Sequence, residues 1–275
     1  MNNTVVRTIS GLVFLALMIS GLLLSKFYFA ALFIFIMIVM MVEFYGMTMG
    51  DKYHWPRRFG IITAVITFIV AFLHYAYMVP TSWIGLIAVP LIGTMIYTIF
   101  AKEKEDLNIL SNLFTGFIYI GIPMVMSNFV VFDKEGNFDG MLMLCFFMII
   151  WASDVGAYCF GMLFGRNGRK LAPSISPKKS WAGAYGGFFT AILMAVIMYF
   201  TGLLKLPLWH LVALAAVMNV AAVFGDLFES QWKRFYGVKD SGKIIPGHGG
   251  MLDRFDSALF AIPIGVVYLI IFSLI

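Results

Sequence analysis

The chain has 275 residues, of which 61% are hydrophobic and only 12% charged, and its formal net charge is +5. A water-soluble domain carries about 25% charged residues, so a soluble globular enzyme is excluded. Disorder is excluded by the same figures, because it needs low hydrophobicity and high charge. What remains is an all-α, polytopic integral membrane protein.

A hydrocarbon core of ~30 Å takes about 20 apolar residues per helix. Nine such stretches follow one another, near 8–25, 27–49, 60–79, 82–100, 112–132, 140–164, 182–204, 207–228 and 257–275. The first starts beside Arg7 like a secretory leader, but no small-residue cleavage pattern follows it, so it reads as a retained span. Residues 1–135, with about five spans, read as an N-terminal scaffold and a candidate dimerisation region. Residues 136–275 read as a C-terminal catalytic half. Cys145 and Cys159 are 14 residues apart in one span. At ~1.5 Å rise per residue that is about 21 Å along a helix, so they do not pair there.

Orientation follows from the Lys and Arg residues of the loops. With the N-terminus in the cytosol, 16 of the 19 basic residues fall on the cytosolic side, Lys52, Lys102 and Lys104 among them, and only Lys26, Lys134 and Lys205 on the other. The expectation is a multi-pass protein of the cell's cytoplasmic membrane whose chemistry faces the cytosol. The positive charge is then topological, and no nucleic-acid partner is expected. Two longer cytosolic loops, 165–181 and 229–256, hold 10 of the 19 basic residues.

Four constellations carry chemistry. Asn219, Asp226, Glu229, Ser230 and Lys233 are spaced to share one helical face. An acid at the bilayer boundary is costly unless paired or bound to a cation; the structural alternative is an ion pair of Asp226 or Glu229 with Lys233. Next come Ile245-Pro246-Gly247-His248-Gly249-Gly250 and Asp253-Arg254-Phe255-Asp256. The glycines suit a backbone that exposes N–H groups to an anion. Asp253 and Asp256 share a face of the last span, where acids also serve as ordinary N-terminal caps. His248 is either a phosphate donor or a packed loop side chain. The third is Ser174-Ile175-Ser176-Pro177-Lys178-Lys179-Ser180-Trp181, leading into Gly183, Gly186 and Gly187. It suits a polyphosphate, or else topological charge followed by small-residue helix packing. The fourth is Asp154 inside the sixth span, either functional or a buried structural acid. Glu43 and His74 are isolated and stay unassigned. The run from Gly237 to Lys243 imitates a nucleotidase phosphate loop, but Ile244 stands where Ser or Thr is needed and no strand precedes it. Carboxylates with phosphates are the usual Mg²⁺ arrangement. Acids and bases gathered at a membrane surface imply a polyphosphate substrate and a lipid co-substrate.

Residues 230–256 read SQWKRFYGVKDSGKIIPGHGGMLDRFD. This run resembles the signature of the phosphatidate cytidylyltransferases, or CDP-diacylglycerol synthases. The pattern S-x-x-K-R-x-x-x-x-K-D, a spacer, then P-x-H-G-G-x-x-D-R-x-D is matched at every fixed position. The ISPKKSWAG and SDVGAY stretches extend the likeness to roughly residues 150–260. Ser180 stands where many relatives have Thr, which keeps the hydroxyl. The resemblance implies transfer of CMP from CTP to phosphatidic acid, giving CDP-diacylglycerol and pyrophosphate for phospholipid synthesis. It implies Mg²⁺, with a second cation left open, and a homodimer in the lipid bilayer.

On that footing Asp226, Asp253 and Asp256 are the expected metal ligands, with Lys233 as a further catalytic residue. Lys178, Lys179, Ser180, Arg234, Lys239 and Arg254 are expected on the phosphates. His248 and the Gly249-Gly250 backbone are expected on the nucleotide, with Asp154 and Ser230 as further candidates. The rival within enzymes is a lipid or polyprenol kinase of similar fold, which would release a nucleoside diphosphate. A CDP-alcohol phosphotransferase lacks its D-G-x-x-A-R run here. A secondary transporter would place its site at the midplane, often between repeats, and no repeat is visible.

Overall fold

In the computed structural model the described residues are 3–50, 53–100 and 106–275. Lys52, Lys102 and Lys104, counted above for orientation, lie outside them. Among the described residues, eight helices are long and apolar enough to cross a membrane, as the composition demands. Where a ninth span is expected near 82–100, the chain forms a 3₁₀ helix, Thr81–Ile87, continuing into the 13-residue α4, Ala88–Phe100. At ~2.0 Å per 3₁₀ residue and ~1.5 Å per α residue the two reach about 33 Å, a bilayer thickness despite the short α segment.

The chain divides into two compact units. The first comprises Met1–Asp139 and Asp240–Arg254. It holds α1 (Asn3–Leu23), α2 (Lys26–Met49), α3 (His54–Tyr77), α4, and a span built from α5 (Asp106–Gly116), a π turn (Phe117–Gly121), α6 (Ile122–Met126) and α7 (Asn128–Val131). Ser25 caps α2, its hydroxyl accepting from the Tyr28 N–H at 3.2 Å. Phe29, Phe33, Met37, Met40, Phe44 and Tyr45 of α2 are fully buried and form the centre of this unit. The Tyr45 hydroxyl donates to the Leu113 carbonyl at 3.0 Å. Gly60 and Gly116 lie against the same ring, where any larger side chain would collide with it.

The second unit comprises Gly140–Lys239 and Phe255–Ile275. Its helices are α8 (Met141–Phe164), α9 (Trp181–Phe200), α10 (Leu208–Phe235) and most of α11 (Leu252–Ile271). Helices α8 and α9 approach through glycine. A Cβ on Gly156 or Gly186 would collide with Thr190 or Phe160, and one on Gly187 would sit 2.9 Å from the Ser153 carbonyl. Small residues bring transmembrane backbones close, where dispersion and hydrogen bonds hold them. Here Thr190 donates to the Ala152 carbonyl at 2.9 Å, and Asn219 of α10 donates to the buried Ser153 hydroxyl at 2.5 Å. The packing reading of Gly183, Gly186 and Gly187 therefore holds. Cys145 is buried and Cys159 exposed, both as free thiols on α8.

Two expected loops are shorter than they read. The 165–181 segment contains an antiparallel hairpin, β1 (Lys170–Ala172) with β2 (Ser176–Ser180), pairing Lys170 with Ser180 and Ala172 with Ser176. Helix α10 runs seven residues past its expected end, to Phe235, because the polar stripe after Asp226 still has helical spacing. Glu229, Ser230, Lys233 and Arg234 are therefore helical residues. The loop between α10 and α11 is reduced to residues 236–251.

Candidate active site

In the second unit the acids and bases gather at the ends of α9, α10 and α11. Strand β2 delivers Lys178 and Lys179, the first exposed and the second half-buried. Ser180 ends the strand and caps α9, its buried hydroxyl accepting from the Gly183 N–H at 3.2 Å. That bond uses the helix's own unsatisfied donor, which gives Ser180 a local job whatever else it touches. Lys179 forms an ion pair with Asp226 of α10, each side chain about 30% exposed. The other Asp226 oxygen accepts from the Ser230 hydroxyl one turn on, at 3.2 Å.

One turn further, Glu229 pairs with Lys233 at 2.5 Å, and their side chains are only 1% and 11% exposed. The pair has the i, i+4 spacing legible in the sequence. Lys233, expected as a catalytic residue, is buried against this carboxylate. Arg234 is exposed and reaches the Ile175 carbonyl at the hairpin turn and the Val238 carbonyl, both at 3.4 Å. Lys170 donates to the carbonyl of Gly165, the C-cap of α8, at 3.0 Å and to that of Arg166 just beyond at 3.1 Å, as a cation near a helix C-terminus should. Lys239 is exposed.

Asp256, on the second turn of α11, accepts from the Ser257 N–H at 2.6 Å. It lies within electrostatic range of Asp226, Glu229 and Asp154. Asp256 of α11 thus feels the charge of acids on α8 and α10, and two of those acids, Asp226 and Glu229, are paired with Lys179 and Lys233. Gly225 allows this approach, because a side chain there would strike the Asp256 carbonyl.

In the first unit, the signature loop 240–254 is tied down by two acids. Asp253 Oδ2 accepts from the Ser241 N–H at 3.0 Å, the Ser241 hydroxyl at 3.0 Å and the Gly250 N–H at 2.8 Å. Glu43 Oε1 accepts from the Met251 N–H at 2.9 Å, and its Oε2 from the Leu252 N–H at 2.8 Å. His248 Nδ1 sits 2.9 Å from the Ser10 hydroxyl of α1. Arg7 donates to the Gly247 carbonyl at 2.8 Å, and Arg254 to the His248 carbonyl at 2.9 Å. Gly247 and Gly249 have φ of +76° and +88°, which only glycine adopts freely. The Gly250 amide, expected on the nucleotide, is engaged inside the loop.

Sequence reasoning missed the role of Glu43 and of the Arg7–Ser10 stretch. The signal for Glu43 was present, a single acid among the 24 residues of α2. What it binds lies about 200 residues away.

Among the described residues, no three His, Cys, Asp or Glu side chains form a ready metal cluster. The donor chemistry still fits a hard divalent cation. The converging side chains are all carboxylates, and Mg²⁺ typically takes one or two of these together with water and substrate phosphate oxygens.

A cytidylyltransferase family model matches residues 5–272 of this chain. A phosphatidate cytidylyltransferase of Staphylococcus epidermidis is 34% identical over 97% of this chain and 98% of its own length. One from Staphylococcus haemolyticus is 30% identical over 96% and 98%. One from Staphylococcus aureus is 33% identical over 77% and 79%. With a match spanning nearly all of the eight long apolar helices, the chain belongs to the cytidylyltransferase family.

Proposed function

We propose that this membrane protein is a phosphatidate cytidylyltransferase, joining CTP and phosphatidic acid into CDP-diacylglycerol and pyrophosphate. A phosphate oxygen of phosphatidate attacks the α-phosphorus of CTP; the new P–O bond forms as the bond to the β-phosphate oxygen breaks, and that electron pair leaves on pyrophosphate. The nucleophile is already anionic near neutral pH, so no strong base is required. The barrier lies in bringing two polyanions together and stabilising the leaving group.

The observation that carries this reading is the ion pair of Lys179 with Asp226, which sets a base of the hairpin on an acid at the membrane end of α10. Asp226 and Asp256 would hold Mg²⁺. Bound there, the ion would supply positive charge to the phosphates. Lys178, Lys179, Arg234, Lys239 and Arg254 offer charge-assisted donors to the triphosphate. Lys233 neutralises Glu229. Asp154 and Ser230 set the charge and orientation of the acids around them.

The lipid reaches this site from the bilayer. A wholly apolar groove of about 500 Å³ is lined by Phe188 of α9, Val217, Val220 and Phe224 of α10, and Phe260 and Ile264 of α11. Phe224 stands two residues before Asp226, and Phe260 four after Asp256. An acyl chain in the groove therefore places its headgroup at the acids. The site faces the cytosol, where CTP is made, the membrane is the cytoplasmic one, and the working form is a homodimer.

Incubating purified protein with Mg²⁺, CTP labelled in the cytidine and phosphatidate tests the reading. The label should pass into the organic phase with one pyrophosphate released per lipid. A lipid kinase would leave the cytidine label in water and release CDP, and that result refutes the proposal.

A further inference from the structure

We propose that Glu43 is a positioning residue for the cytidylyl transfer, a carboxylate that caps the start of α11 from a distant helix and thereby fixes Asp253 and Arg254. Its kinetic effect rests on the cytidylyltransferase reading above; its structural effect does not.

Glu43 is the only acid in α2, a helix whose mean hydropathy reaches 2.5. A carboxylate in such a segment is costly unless fully supplied with donors. Both oxygens are supplied, and every donor comes from the signature loop. The Met251 and Leu252 amides bind Oε1 and Oε2, and the Ser241 hydroxyl lies 3.3 Å from Oε2. The Leu252 amide opens the first turn of α11, whose N–H groups have no partner within the helix, and the Met251 amide immediately precedes it. A negative charge at a helix start is also favoured by the helix dipole.

The loop is shaped around this side chain. A Cβ on Gly242 would strike the Glu43 carboxylate, and one on Gly250 would lie 2.6 Å from Oε2. Neither glycine has a positive φ, so close approach explains both. The Ser241 hydroxyl lies 3.0 Å from Asp253 Oδ2 as well, so a single side chain joins the two acids. With the amides of residues 250–252 already bound to carboxylates, the start of α11 is not a free anion site. Substrate phosphates must be met by side chains such as Arg254, whose direction depends on where α11 begins. Glu43 sets that point.

The test uses full-length protein in detergent, with Glu43→Gln and Ser241→Ala. Glutamine keeps the size, but it turns an N–H₂ donor toward one of the two backbone amides. For Glu43→Gln we expect intact elution behaviour, kcat lowered on the order of 10–100-fold as for other outer-layer partners of reacting groups, a raised KM for CTP because Arg254 is redirected, and faster hydrogen exchange confined to residues 240–254. Ser241→Ala should shift kcat and exchange in the same direction by less, and it decides the matter if Glu43→Gln fails to fold. Wild-type kcat per folded molecule, activity lost only in proportion to unfolded protein, or unchanged exchange at 240–254 would each overturn the role. If the wild type makes no CDP-diacylglycerol, the functional reading fails, while the exchange arm still decides whether Glu43 holds the loop.

Discussion

Lys179 at the end of β2 and Asp226 on α10 form an ion pair, so the base expected on the phosphates and the acid expected on the metal hold each other. Both are partly exposed, so the pair adds only about 0–1 kcal/mol to stability. Its weight falls on binding. Lys179→Met should raise the CTP concentration needed for half-maximal rate by roughly 10–100-fold, the loss of one charged hydrogen bond worth about 1.5–3 kcal/mol. The same change should lower the Mg²⁺ concentration required, because Asp226 loses its competing cation. Titrating each against rate checks both, and an unchanged CTP requirement would assign Lys179 to topology alone.

Asp226→Asn and Asp256→Asn should each reduce cytidylyl transfer by at least about 100-fold, since each removes a carboxylate that would hold the cation opposing the phosphate charge. The fold should persist, and thermal unfolding in detergent compared with turnover separates the two effects. Near-normal turnover in either variant would remove that residue from the metal set.

Lys233→Ala should act on stability. It takes the ammonium from beside a carboxylate that is 1% exposed, and breaking such a buried pair costs about 3–5 kcal/mol. The melting temperature should fall far more than in Lys179→Met. Replacing Glu229 and Lys233 together by apolar residues of similar volume should recover much of the loss. A Lys233→Ala protein of normal stability with a raised CTP requirement would return Lys233 to the phosphates.

Gly156→Val and Gly186→Val should separate α8 from α9, because a Cβ at either position collides with a neighbour across the helix pair. Overpacking costs about 1–3 kcal/mol, more where backbone blocks relief. Lower yield of folded protein measures this, and the same substitution at Gly85, which meets nothing within 4 Å, should be tolerated better.

The sequence by itself determined what depends on near neighbours. Twenty-residue apolar runs become helices because a bilayer leaves no other way to satisfy the backbone. The i, i+4 spacing of Glu229 and Lys233 already placed them side by side on α10, and the run at 230–256 announced its family. Tertiary structure decided the rest, because those contacts obey no period. Nothing local joins Glu43 to amides about 200 residues on, or tells a glycine that packs helices from one that admits phosphate. The hairpin at 170–180 was hidden because its strands are short and basic, without apolar alternation. Lys179 could be read as a phosphate ligand, but only the turn of β2 into α9 brings its ammonium to Asp226.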